Sequence, residues 1–402
     1  MKAFDLSQLS RLRRRGPRVE ARISATALGL VTVLLGGCAA MTVRRPSEPT
    51  LARQAPQGAL SLAWQREVHA HELFEPSPEE CSTGVVVKNR LVLGSRARDV
   101  VALSTVDGTV LWRRSVGAQI ESEALHDAER NLVYVGANDG RVLALRPTNG
   151  DIVWSFQAEG GLVEAPSLAN GRLFFTTNRG RLYALNADNG LWLWDYERER
   201  PEEFTIAGQA SPRVHGDTLY AGFSDGFLVA LEPESGEVKW ARSLASASEQ
   251  YVDVDTTPLI FEDTLIAGSH SGGLYGLSPD GSTVKWRLPV EGAGTGTLVD
   301  GKLFFSTPRE GLYAIDPRDG HVLWRRAVPG ASNLTRPRVV GPYLVFSGAR
   351  TGLYVVNRDS GTLAQTFFPG RGMCAAPAVD PMAERLYVLS NGGSVYAMNV
   401  SW

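Results

Sequence analysis

Residues 166–194 read P-S-L-A-N-G-R-L-F-F-T-T-N-R-G-R-L-Y-A-L-N-A-D-N-G-L-W-L-W. The apolar runs Leu173-Phe174-Phe175 and Leu182-Tyr183-Ala184-Leu185 are rich in strand formers. Asn170-Gly171, Asn178-Arg179-Gly180 and Asp188-Asn189-Gly190 punctuate them as turns, which predicts four short β-strands and leaves no room for a helix. The third strand carries a small residue, Ala184, and the fourth ends on Trp194. The small marker returns at Ala102, Ala144, Ala230, Gly276, Ala314, Val355 and Ala397, and the Trp marker at Trp112, Trp154, Trp240, Trp286 and Trp324. In the seventh copy Phe367-Phe368 falls where the Trp is expected. Eight copies at a spacing of roughly 40 residues mean eight four-stranded sheets. A lone four-stranded sheet leaves two apolar faces and two open edges, so the copies must stack around an axis and close into a ring. The fold class is therefore all-β: an eight-bladed β-propeller with four antiparallel strands per blade. The last copy stops one strand short at Tyr396-Ala397-Met398, and Leu60-Ser61-Leu62-Ala63-Trp64 looks like a spare fourth strand, so the N-terminal strand is expected to complete the last blade.

Three segments follow: 1–37, 38–59 and the propeller, 60–402. Residues 1–37 hold seven Lys/Arg and two Asp/Glu, which leaves 34 basic and 41 acidic residues in the remainder. An acidic body argues against a nucleic-acid partner. The first segment reads as a signal peptide: Arg11, Arg13, Arg14, Arg15, Arg18 and Arg22 precede an apolar run, Ile23 to Leu35, that is short for a membrane span. Leu35-Gly36-Gly37-Cys38 resembles the bacterial lipobox, in which the Cys is lipidated and becomes the first mature residue; the alternative is an ordinary signal peptide with an incidental Cys. Acyl chains on Cys38 would anchor the protein stably, at about 0.8 kcal/mol per buried CH₂. Ala39 after the Cys, by resemblance to the enterobacterial sorting rule, favours the periplasmic face of the outer membrane. Residues 38–59, with Pro46, Pro49 and Pro56, read as a flexible tether.

Of the six histidines, only His69-Ala70-His71-Glu72 is local enough to raise a metal, and it lacks Cys or Asp partners at ligand spacing. Gly292-Ala293-Gly294-Thr295-Gly296-Thr297 resembles a phosphate loop, yet no Lys-Ser/Thr follows and no helix can start there, so it reads as the lead-in to the sixth blade. No catalytic residue, metal or cofactor is assigned. One Trp per blade is better explained by sheet packing than by a cofactor box. Cys81 and Cys374 sit three residues before Gly84 and Pro377, which align with each other and with Pro166. They are thus at equivalent sites in blades one and eight, neighbours in the ring; a disulfide requires Cα atoms within about 7 Å, and two buried free thiols are the alternative.

Copies such as Tyr183 to Trp194 and Tyr313 to Trp324 resemble the pyrroloquinoline-quinone-like propeller repeat over about residues 60–402. Two classes use it: quinoprotein dehydrogenases and the BamB family, lipoproteins of the outer-membrane β-barrel assembly machine. The dehydrogenases usually carry adjacent cysteines, a calcium-ligating carboxylate set and long insertions, and none of these is evident in the sequence. Asp253-Val254-Asp255-Thr256-Thr257-Pro258 is similar to the D-V-D-T-T-P of the BamB family, whose two acids belong to the surface that docks the central, BamA-like assembly subunit. Phe204-Thr205-Ile206-Ala207-Gly208-Gln209-Ala210-Ser211-Pro212 is similar to a second docking segment, with Phe204 and Ile206 at its apolar positions and Ala207 where the family has Arg. The resemblance implies a non-enzymatic scaffold that docks the assembly subunit and holds unfolded outer-membrane proteins. A quinone-dependent enzyme and a propeller with an unrelated partner remain the alternatives. Asp253 and Asp255 are two apart in an extended segment, so both carboxylates are expected on one side, aimed at solvent, with Val254 opposite; the bland reading is that they cap a turn before Pro258.

Overall fold

The computed structural model describes residues 50–51, 58–69, 79–198, 210–245, 251–328, 333–380, 382 and 384–402. Every regular element among them is a β-strand, and the strands form eight antiparallel sheets, one per blade of a propeller. Residues 166–194 open blade 3, whose strands Ser167–Ala169, Arg172–Thr176, Arg181–Asn186 and Trp192–Glu197 pair in sequence order. Its first hairpin turns at Asn170 (φ 50°) and Gly171 (φ 72°), the two successive left-handed residues that a tight hairpin matching strand twist needs. First strands of neighbouring blades approach one another and line the axis. Fourth strands alternate exposed and partly buried residues, as in Val110–Ser115 and Val238–Ser243, and form the rim.

The two sequence markers are the two halves of one cross-strand pair. Ala102 lies opposite Trp112, Ala144 opposite Trp154, Ala184 opposite Trp194, Ala230 opposite Trp240, Gly276 opposite Trp286, Ala314 opposite Trp324 and Ala397 opposite Trp64. The partner is small because the indole lies over it: a Cβ on Gly276 would sit 2.2 Å from Trp286. Each indole then reaches the following blade. The Nε1 of Trp64, Trp112, Trp154, Trp194, Trp286 and Trp324 donates to a turn carbonyl there, at 2.9–3.1 Å. The turn glycine beside that carbonyl receives the ring face: at Gly108, Gly150, Gly190, Gly236, Gly281, Gly320 and Gly361 an added Cβ would meet indole carbons at 2.5–2.7 Å, with φ between 67° and 74°. Apolar burial follows the same plan. Each buried cluster draws on two neighbouring blades, as when Tyr134 and Trp154 of blade 2 pack with Phe175 and Leu185 of blade 3, so the core is distributed over the eight blade interfaces.

Leu60–Glu67 pairs antiparallel with Ser394–Val400 and completes blade 8, from Leu60 opposite Val400 to Glu67 opposite Ser394. Blade 7 departs from the expected pattern. Register places Gln365, not Phe367 or Phe368, opposite the small-residue position at Val355. The physical reason lies in blade 8, where chain ends replace the glycine turn that an indole would cover. The Gln365 amide instead accepts from Leu60 N–H at 2.8 Å and donates to Leu60 C=O at 3.2 Å, gripping the start of the closing strand. Outside it, Thr50–Leu51 adds a short strand to the rim of blade 7. At the junction of blades 8 and 1, Cys81 and Cys374 are joined by a disulfide with Cα atoms 4.6 Å apart. Beside it the buried Asn391 side chain uses its full capacity, accepting from Glu80 and Cys374 N–H and donating to Ala349 and Arg371 C=O.

Candidate functional site

The segment leading into blade 5, Tyr251 to Pro258, threads between the loops of blades 4 and 5. Val254 N–H donates to Phe223 C=O at 3.0 Å, His270 N–H to Asp253 C=O at 2.8 Å, and Ser269 Oγ to Val252 C=O at 2.9 Å. Thr256 Oγ1 receives Gly268 N–H, and Thr257 N–H donates to Thr295 Oγ1. Val254 packs in the apolar interface of the two blades. The expectation that Asp253 and Asp255 are a pair aimed at solvent does not hold. Asp253 is completely buried, and the Asp255 side chain keeps 20% of its surface. Asp253 and its neighbour Val254 are both wholly buried, so the segment is covered on more than one side and alternation does not choose between interior and water. Asp255 Oδ2 faces His270 Nδ1 at 3.6 Å. Burial pushes the Asp255 carboxyl up, and that carboxyl holds His270 above the usual imidazole range. Tyr251 and His270, whose rings meet edge to face at 6.4 Å, are the more accessible members of this corner.

Sequence reading missed a second constellation, in the axial channel. Arg338, the first residue of the inner strand of blade 7, donates through Nη2 to Glu123 Oε1 at 2.5 Å. Glu123 precedes the inner strand of blade 2, and blades 8 and 1 lie between, so the two side chains reach over the channel to meet. Glu164, ahead of blade 3, is pushed up to about 7, first by burial and then by the Glu123 and Asp255 carboxylates, against the opposing pull of Arg336 and Arg338. Arg336 donates through Nε to Thr297 Oγ1 at 3.2 Å and is brought down to about 10 by burial and by the Arg338 charge. The available signal was positional: Glu123 and Arg336 both stand one residue before the repeat's Pro166 position, and Arg213 and Arg338 one residue after it.

Cys38, Phe204, Ile206, Ala207, His71 and Glu72 lie outside the described residues. His126 and His215 sit on the inner strands of blades 2 and 4, His270 in a blade 5 loop and His321 at a turn of blade 6. The glycine-rich run ends as expected, with Thr297 opening the inner strand of blade 6.

The structure is similar to the crystal structure of BamB from Moraxella catarrhalis, with a TM-score of 0.71 at 19% identity over 85% of this chain and 99% of that one. A computationally designed protein, Ika8, reaches 0.65 at 13% identity over 84% and 99% of the two chains. Quinohemoprotein alcohol dehydrogenase from Comamonas testosteroni also reaches 0.65, at 16% identity over 90% and 82%. Likeness to BamB, a designed protein and an alcohol dehydrogenase at such identities establishes the fold alone. No curated protein matches the sequence. The family model described as outer membrane protein assembly factor BamB matches residues 96–326, more than half of the chain, and the chain therefore belongs to that family.

Proposed function

We propose that this chain is a non-enzymatic scaffold lipoprotein of the machinery that assembles β-barrel proteins in the outer membrane. The family match over residues 96–326 carries the reading. In it, residues 1–37 direct export, Cys38 is lipidated, and the segment between Cys38 and the Thr50–Leu51 strand on blade 7 tethers the propeller to the periplasmic face of the outer membrane. The propeller docks a BamA-like central subunit and assists unfolded outer-membrane proteins. Docking uses the face that carries the lead-in to blade 5, with the partly buried carboxylate of Asp255 and with Phe204 and Ile206 as apolar contacts. Asp253, being buried, supports this corner from beneath. The test is capture of the purified central subunit by parent, Asp255→Ala and Phe204→Ala/Ile206→Ala proteins. Binding weakened about tenfold or more in both variants, with melting unchanged, is the expected result for contacts at the centre of an interface. Unchanged affinity moves the docking surface elsewhere. A Cys38→Ser protein should leave the outer-membrane fraction, and one that still fractionates with it overturns the anchor.

A quinone-dependent dehydrogenase is the second reading, favoured by the likeness to the Comamonas enzyme. Dye-coupled alcohol oxidation, measured with added pyrroloquinoline quinone and calcium, separates the two. Turnover above the protein-free blank would replace the scaffold reading.

A further inference from the structure

We propose that Tyr251 is the central aromatic contact of the docking surface, presented by a strained backbone so that its ring enters an apolar pocket on the central subunit. The inference rests on the docking reading above and adds to it a residue that no resemblance supplied. Tyr251 holds φ at 61°, in the left-handed region that a bulky side chain rarely adopts. Elsewhere among the described residues, the non-glycine residues found there lie in turns between paired strands of one blade, as Asn170 does, or, as at Asn333, are of a type that tolerates the conformation. Tyr251 belongs to neither class, since it stands ahead of the first strand of blade 5, Leu259–Phe261. Such a conformation persists only where the surroundings enforce it. Here three successive carbonyls are held by one loop: Ser271 Oγ donates to Tyr251 C=O at 3.0 Å, Ser269 Oγ to Val252 C=O at 2.9 Å, and His270 N–H to Asp253 C=O at 2.8 Å. The side chain so presented is not buried in return. Tyr251 is 41% exposed, its ring meets His270 edge to face at 6.4 Å, and among the described residues its hydroxyl makes no hydrogen bond. Strain that served the fold would be offset by burial of the ring. An exposed, rigid ring with a free hydroxyl, next to the His270 and Asp255 side chains, instead suits a binding contact of the kind that dominates interfaces.

Tyr251→Gly and Tyr251→Ala proteins, assayed for capture of the purified central subunit and for urea unfolding, test both parts. Glycine removes the ring and keeps the left-handed backbone at ease, whereas alanine removes the ring and leaves that backbone strained. Capture should weaken about tenfold or more in both variants. The folding constant of Tyr251→Gly should exceed that of Tyr251→Ala several-fold, and an alanine protein that fails to fold beside a folded glycine protein supports the strain equally. Binding by Tyr251→Gly equal to that of the parent sinks the aromatic contact. If Asp255→Ala and Phe204→Ala/Ile206→Ala still weaken capture in that case, the docking reading stands and Tyr251 alone falls; if no variant weakens capture, both fall. Equal stability of the glycine and alanine proteins overturns the strained presentation, because both lack the ring and differ only in what the backbone tolerates.

Discussion

Trp154 and Gly190 show how much one contact contributes at the residue scale. The indole is 8% exposed, donates to Ala187 C=O, and covers a glycine held at φ 72° with no space for a Cβ. Trp154→Ala should cost about 3–5 kcal/mol through the cavity it leaves. Gly190→Ala, with backbone strain and a clash together, should cost roughly 1–3 kcal/mol. Urea titration at pH 7 measures both. The two aspartates of the blade 5 lead-in should separate. Asp253→Ala strips a wholly buried carboxyl from its surroundings and should lower stability by about 1–3 kcal/mol or more. Asp255→Ala should change stability less, because burial already disfavours its charged form. Its clearer effect is on His270, whose raised pKa has the contact with Asp255 as first cause. The stability His270 contributes is complete below its unfolded pKa and lost as pH rises through the folded one. Asp255→Ala should move the His270 titration, followed by NMR, to lower pH and weaken that dependence. A His270 titration that does not move would separate the two groups.

At the scale of the element, the closing strand differs from the other fourth strands because no covalent turn delivers it to its blade. Pairing with Ser394–Val400, the Trp64 contact on Gly108 and the Gln365 clamp on Leu60 hold it. Gln365→Ala leaves a buried N–H and C=O of Leu60 without this partner and should cost about 1–3 kcal/mol. Amide exchange at Leu60 to Leu62 should accelerate before that of other strands, and protection unchanged from the parent would show that the clamp is dispensable. Expecting an aromatic residue at this point was reasonable from periodicity. Only the register shows that the position is held by an amide, since Phe367 and Phe368 are displaced from it by two and three residues.

The propeller is a ring whose last interface joins residues almost 300 apart. The disulfide between Cys81 and Cys374, separated by 293 residues, lies at that interface and shortens the loops available to the unfolded chain. We propose that it forms in the exported protein, so unreduced digests should contain the linked peptides, and alkylation of both thiols would remove it. Replacing both cysteines by Ser should lower stability by roughly 2–5 kcal/mol, and a reductant should lower the melting temperature of the parent but not of the double variant.

Strand order, blade number, the closing strand and the turn glycines were determined by the sequence itself. Each depends on contacts between residues a few positions apart, or on a repeat that states the same contact in seven of its eight copies. Which of two faces an acidic pair presents was decided by tertiary structure, because Asp253 and Asp255 lie where loops of two blades cover an extended segment on more than one side. The channel charges belong to the same class. Glu123 and Arg338 are scattered over 216 positions and share only a place next to the repeat's Pro166 position, and they meet only because the ring closes around the axis and aims its inner strands at one space.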